Sequence, residues 1–132
     1  MRKSLCCFTL FLLVVQQVTA QDPGSLLSNY NSKVPQEKLY VQFDNAAYTP
    51  GQTIWYKAYL QHGNKPSYLS TGLYLDWYTD NGALLARTTA PVIGGTASGD
   101  YTIPIPFNGT RLRVLAYTKW MLNFDSAFLF QK

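Results

Sequence analysis

The sequence predicts an all-β fold, an antiparallel β-sandwich of seven short strands, and three observations carry that prediction. From Glu37 onward, short apolar runs rich in β-branched and aromatic residues recur at regular spacing. Gly, Pro, Asn and Asp separate them. No apolar stripe at i, i+3, i+4, i+7 persists beyond two turns. Seven such runs in about a hundred residues are the pattern of a sandwich.

In the first run Leu39, Val41 and Phe43 share one face. Pro50-Gly51 then predicts a type II turn, Pro50 pre-setting φ and Gly51 accepting φ > 0. The strand Thr53–Leu60 turns Ile54, Tyr56, Ala58 and Leu60 inward and Trp55, Lys57 and Tyr59 outward. A loop spans Gln61–Ser70. Leu73, Leu75 and Trp77 alternate with Tyr74, Asp76 and Tyr78, and Asp80-Asn81-Gly82 is a hairpin turn into a strand at Ala83–Ala90. Pro91–Gly95 breaks the chain before a weaker strand at Ala97–Ile103, which Pro104 and Pro106 end. Leu112, Val114 and Ala116 alternate with Arg113, Leu115 and Tyr117, and Ala127–Phe130 closes as a short last strand.

The segment before Glu37 differs. Arg2 and Lys3 precede an eleven-residue apolar run, Leu5–Val15, broken only by one Thr, and Val18-Thr19-Ala20 supplies small residues for cleavage. Eleven helical residues reach only about 16 Å, short of a bilayer core of about 30 Å. Residues 1–20 are therefore predicted to be a secretory signal peptide, 21–36 a polar leader with one or two helical turns, and 37–132 the sandwich domain. Export of the mature chain without an anchor follows, to the periplasm, the outer-membrane surface or the medium.

Removing the signal leaves nine basic against seven acidic residues, and both cysteines, Cys6 and Cys7, go with it. A charge near +2 with no basic cluster argues against nucleic acid or an anionic membrane as partner. A disulfide-free chain of about 110 residues must rely on its core.

The string Lys38-Leu39-Tyr40-Val41, then Asp44, then Tyr48-Thr49-Pro50-Gly51-Gln52-Thr53-Ile54-Trp55-Tyr56-Lys57-Ala58-Tyr59-Leu60 resembles the second macroglobulin-like domain of the α2-macroglobulin superfamily. Asp80-Asn81-Gly82, Ala97–Tyr101 with Ile103-Pro104, and Arg113–Thr118 followed by Trp120-Met121 fit the rest, in the form found in exported proteins of Bacteroidetes-type bacteria. The resemblance covers roughly Glu37–Lys132. It implies an immunoglobulin-like, macroglobulin-type sandwich and structural roles for Asp44, Tyr48, Pro50, Gly51 and Trp120. It also implies a structural or ligand-contacting unit among further envelope domains. Thioester chemistry is not expected, since no cysteine follows the signal.

Catalytic chemistry has little to draw on. His62 is the only histidine and sits among Gly, Asn and Pro, which indicates a solvated loop residue. One His and no mature Cys cannot build a His/Cys metal centre. Asp76, Asp80 and Asp100 offer oxygen ligands for calcium, yet an outward strand position for Asp76 and turn positions for the other two favour solvated surface or turn chemistry. No catalytic, cofactor-binding or metal-binding residue is predicted. Arg111 and Arg113, with Lys119 nearby, read as solvated cover, and Asn108-Gly109-Thr110 as a tight turn rather than a glycosylation acceptor.

Aromatics are the unusual quantity. Eighteen of twenty lie after residue 20, among them all ten Tyr. Outward Tyr40, Trp55, Tyr59, Tyr74 and Tyr78 are the candidate partner contacts if they line one sheet face. Packing of the sheet's own surface is the competing explanation. The expected function is a non-catalytic structural or protein-interaction module of an exported envelope protein, its partner another protein or a neighbouring domain that adds to a free sheet edge. A carbohydrate-binding module using the outward aromatics is the alternative, and a small hydrolase the weakest reading.

Overall fold

The computed structural model describes residues 22–132. The signal-peptide reading of residues 1–20 lies outside them. The chain divides into two units, Met1–Pro35 and Gln36–Lys132.

In the first unit the described part is a helix, α1 (Pro23–Lys33). Asp22 caps it, its carboxylate accepting from the Gly24 N–H at 3.1 Å, and Pro23 occupies the first turn, where its missing N–H costs nothing. Lys33 lies in the last turn, the favourable end for a cation. Eleven residues make about three turns, more than the one or two expected from scattered apolar positions, because capping and not an apolar stripe defines this helix. No helix among the described residues is long and apolar enough to cross a membrane.

The second unit is an antiparallel two-sheet sandwich. Its strands are β1 (Glu37–Phe43), β2 (Thr53–His62), β3 (Lys65–Pro66), β4 (Gly72–Thr79), β5 (Leu84–Pro91), β6 (Thr96–Thr102), β7 (Leu112–Thr118) and β8 (Phe130–Gln131). In the first sheet β1 pairs one edge of β2, while β6 and then β3 pair the other. The second sheet runs β5-β4-β7-β8. Register places Tyr40 opposite Tyr59, Trp55 opposite Asp100, Asp76 opposite Arg87 and Tyr74 opposite Tyr117.

Two expectations need correction. The loop at Gln61–Ser70 contains β3, which folds back on the end of β2 with Gln61 opposite Pro66; Gly63 at φ 59° makes the tight reversal possible. The last strand is not Ala127–Phe130. Asp125 caps a 3₁₀ turn at Ser126–Phe128, its side chain accepting from the Ala127 N–H at 2.8 Å, so pairing starts only at Phe130.

The core lies between the sheets. Trp77 stacks on Tyr101 at 4.4 Å between centroids and meets Tyr56 and Phe43 at 6.3 and 6.4 Å. Its indole N–H donates to Thr88 Oγ1 at 3.0 Å, so the polar end of a buried ring is satisfied. Around it pack Val41, Ile54, Ala58, Leu73, Leu75 and Val114. Each fully buried large apolar side chain contributes about 1.5–3 kcal/mol. Gly99 is required opposite Tyr56, because a Cβ there would stand 2.5 Å from the phenolic oxygen.

At one end of the sandwich Glu37, 2% exposed, accepts hydrogen bonds from three hydroxyls: Ser67 and Ser70 at 2.6 Å each and Thr118 at 2.7 Å. Among the described residues no cation pairs with it.

Candidate interaction surfaces

Period-two alternation decides which side chains of each strand face out, and the assignment of strands to sheets decides where those faces look. Tyr40, Trp55 and Tyr59 stand on the outer face of the first sheet. Tyr74 and Tyr78 stand on the outer face of the second. The condition that all five line one sheet face is therefore not met, because β2 and β4 belong to different sheets.

On the first sheet, Tyr40 and Trp55 are 61% and 58% exposed. Cross-strand Tyr40 and Tyr59 place their ring centroids 6.4 Å apart, and the Lys57 ammonium lies 5.6 Å over the Tyr59 ring. Trp55 lies two outward positions along β2 from Tyr59. The surface combines large apolar area with polar tips and one cation, the chemistry enriched at the centre of protein interfaces.

On the second sheet the aromatics are engaged with their own surface. Tyr74 stacks on Tyr117 at 5.7 Å, Lys119 lies over Tyr74 at 5.6 Å, and Arg113 lies over Tyr78 at 5.7 Å. Asp76 sits beneath them. It was expected to be a solvated strand residue, yet it is only 2% exposed. Arg87 Nε and Nη2 grip its two oxygens at 2.5 and 2.7 Å, and the Tyr117 and Tyr78 hydroxyls donate at 3.2 and 3.4 Å. The long neighbours cover the short carboxylate. Arg87's two hydrogen bonds outweigh burial and hold the Asp76 carboxyl below the ordinary carboxylate range.

Of the five positions to which the resemblance gives structural roles, Asp44, Tyr48, Pro50 and Gly51 lie at the end of the sandwich remote from Glu37, and Trp120 does not. Tyr48 Oη donates to Asp44 Oδ1 at 2.6 Å and accepts from the Asn45 N–H at 2.8 Å, while the Trp55 N–H donates to the same Asp44 oxygen at 2.9 Å. The Tyr48 hydroxyl is the chief cause of the lowered Asp44 pKa. Pro50 and Gly51 form the expected turn, with Gly51 at φ 86° and Gln52 N–H closing on Thr49 O at 3.1 Å. Trp120 follows β7 at the other end, edge-on to Phe124 at 6.1 Å.

Beside the Asp44–Tyr48 loop the two sheets part to form a cleft of about 420 Å³. Phe43, Ile54, Trp77, Ile103 and Leu112 are among its apolar lining, and Arg111 and Lys132 are its charged residues. Sequence reasoning missed this cleft, since its lining comes from strands remote in the chain.

The three carboxylates weighed for calcium are not brought together. Asp76 pairs with Arg87, Asp80 accepts from the Thr110 N–H and hydroxyl at 3.2 and 3.0 Å, and Asp100 lies in the other sheet on β6. Among the described residues no group of three or more His, Cys, Asp and Glu side chains forms a metal site. His62 ends β2, exposed to solvent. Thr110 of Asn108-Gly109-Thr110 is tied to the Asp80 turn. Arg111, Arg113 and Lys119 serve separate places: the cleft, the Tyr78 ring and the Tyr74 ring. No protein-family model matches the sequence, and no curated protein matches it.

Proposed function

We propose that residues 37–132 are a non-catalytic interaction module, a macroglobulin-type sandwich working within an exported envelope protein. The observation that carries this reading is the outer wall of the first sheet, where Tyr40 and Trp55 are more than half exposed beside Tyr59 and Lys57. Exposed aromatics grouped on one surface make the kind of patch at which a partner docks. The strand order β1-β2-β6 against β5-β4-β7-β8 supports an immunoglobulin-like type. The Asp44–Tyr48–Trp55 hydrogen bonds support the macroglobulin resemblance, because they give its motif residues a structural task.

Strand addition has an entry point on the same sheet. In the second sheet, β5 carries Arg87, a bulge opposite Trp77/Tyr78 and Pro91, and β8 has only two residues. In the first, β1 and β6 present seven-residue edges without proline or bulge.

The test places a photo-crosslinking benzoylphenylalanine at Trp55, with Thr89 on the opposite wall as control, in the protein as its cell makes it. One defined protein segment captured from position 55 and not from 89 is expected. Turnover of any substrate that a single polar substitution abolishes refutes the non-catalytic reading. The carbohydrate alternative rests on the Tyr40–Tyr59 pair as a stacking platform. Glycan-array binding that Trp55→Ala removes is its signature.

A further inference from the structure

We propose that the end cleft binds a small amphipathic carboxylate, an apolar body bearing a single anionic head. The volume of about 420 Å³ lies within the range of about 300–1,000 Å³ for small-molecule sites. Half-buried Phe43 and Leu112, one from each sheet, and Phe107 make its apolar surface, with the buried Trp77 and Ile54 beneath them. The charged side chains of the lining are Arg111 and Lys132, with no Asp or Glu side chain among them. Among the described residues the Arg111 guanidinium has no carboxylate partner, and the Lys132 ammonium is engaged only with the Phe43 ring at 5.1 Å.

The neutral polar groups of the lining are largely spoken for. Tyr48 Oη is committed to Asp44 and Asn45, and the Thr110 hydroxyl to Asp80. A sugar would therefore find few free partners and much apolar surface. A neutral hydrocarbon would leave two cations unused. A carboxylate with an apolar body satisfies both halves, because Arg pairs with carboxylate through charge-assisted hydrogen bonds while the body leaves water. The Asp44–Tyr48 hydrogen bond braces the loop along one wall, so the cleft exists before a ligand arrives.

The same chemistry is offered by a free fatty acid and by the C-terminal carboxylate of an apolar peptide, and calorimetry on the whole protein separates them. Octanoate, octanol and acetyl-Leu-Phe with a free carboxylate are the probes. One-to-one binding of octanoate or of the peptide is expected, and the tighter of the two identifies the source. Arg111→Gln/Lys132→Gln, two exposed positions, is expected to weaken that carboxylate about tenfold or more and to leave octanol unchanged. Ala46→Trp, an exposed cleft-lining position, is expected to block the carboxylate without altering the far-UV spectrum. Absence of saturable binding by both carboxylates overturns the proposal, as does binding that the double variant or the blocked cleft leaves intact. The crosslinking result at Trp55 concerns a different wall, so either proposal can fail alone.

Discussion

Truncating Glu37 to Ala is expected to be among the most damaging single changes to a polar residue in the sandwich. The wild-type carboxylate accepts from three hydroxyls at 2.6–2.7 Å in a site with 2% exposure. Hydrogen bonds to a charged group are worth about 1.5–3 kcal/mol each, and the truncation also relieves the cost of burying the charge. What decides the net effect is the fate of the donors. Ser70 is half-buried and can reach water, but Ser67 and Thr118 are 1% and 0% exposed. Two orphaned buried hydroxyls cost about 1–3 kcal/mol each, giving an expected loss near 4 kcal/mol. Urea unfolding followed by tryptophan emission reads this as a lower midpoint at an unchanged slope. The double variant Glu37→Ala/Ser67→Ala removes one orphan together with its acceptor and frees only the N–H of exposed Leu69, so it is expected to regain about 1 kcal/mol or more; Thr118 stays in place because its Oγ1 also accepts from the buried Met121 N–H. A single-variant loss below about 1 kcal/mol refutes the reasoning, as does a double variant less stable than Glu37→Ala.

Asp76 titrates lower in the folded than in the unfolded protein, so its contribution is present above the unfolded pKa and is lost as pH falls through the folded one. Unfolding measured between about pH 5 and pH 2 is expected to show a shallower acid loss for Asp76→Asn than for wild type, and equal slopes would contradict this. Gly51→Ala is expected to cost about 1–2 kcal/mol from φ +86°; the Ile105 methyl 2.6 Å from the new Cβ is exposed and can swing away. Thermal denaturation checks it, and an unchanged midpoint would show that the turn relaxes. Tyr48→Phe removes the hydroxyl shared by Asp44 and Asn45, with an expected loss of about 1 kcal/mol and faster amide exchange across 44–48; unaltered exchange would deny the brace.

Local patterns were legible. Alternation in β2 placed Ile54, Tyr56, Ala58 and Leu60 inside, as observed, and Pro50-Gly51 and Asp80-Asn81-Gly82 placed their turns, with Gly51 and Gly82 at positive φ. What escaped depends on pairing between distant segments. Alternation states which side chains of a strand share a face, but not which sheet the strand joins, so Trp55 and Tyr74 could not be separated to opposite walls. Asp76 looked solvated because nothing local announces that Arg87, Tyr78 and Tyr117 converge on it. Glu37 entered the sequence reading only as the first residue of the domain. Its partners lie 30, 33 and 81 positions away.

That last separation orders events as the chain emerges from its N terminus. The carboxylate that opens β1 has no third hydroxyl until Thr118 has been made. Until then it is better hydrated than buried, and β1 has reason to stay undocked at this end. Glu37 can therefore latch this end of the sandwich in full only after the strands between it and Thr118 have been made. A nascent chain stopped before residue 118 would keep that strand free for a chaperone to hold.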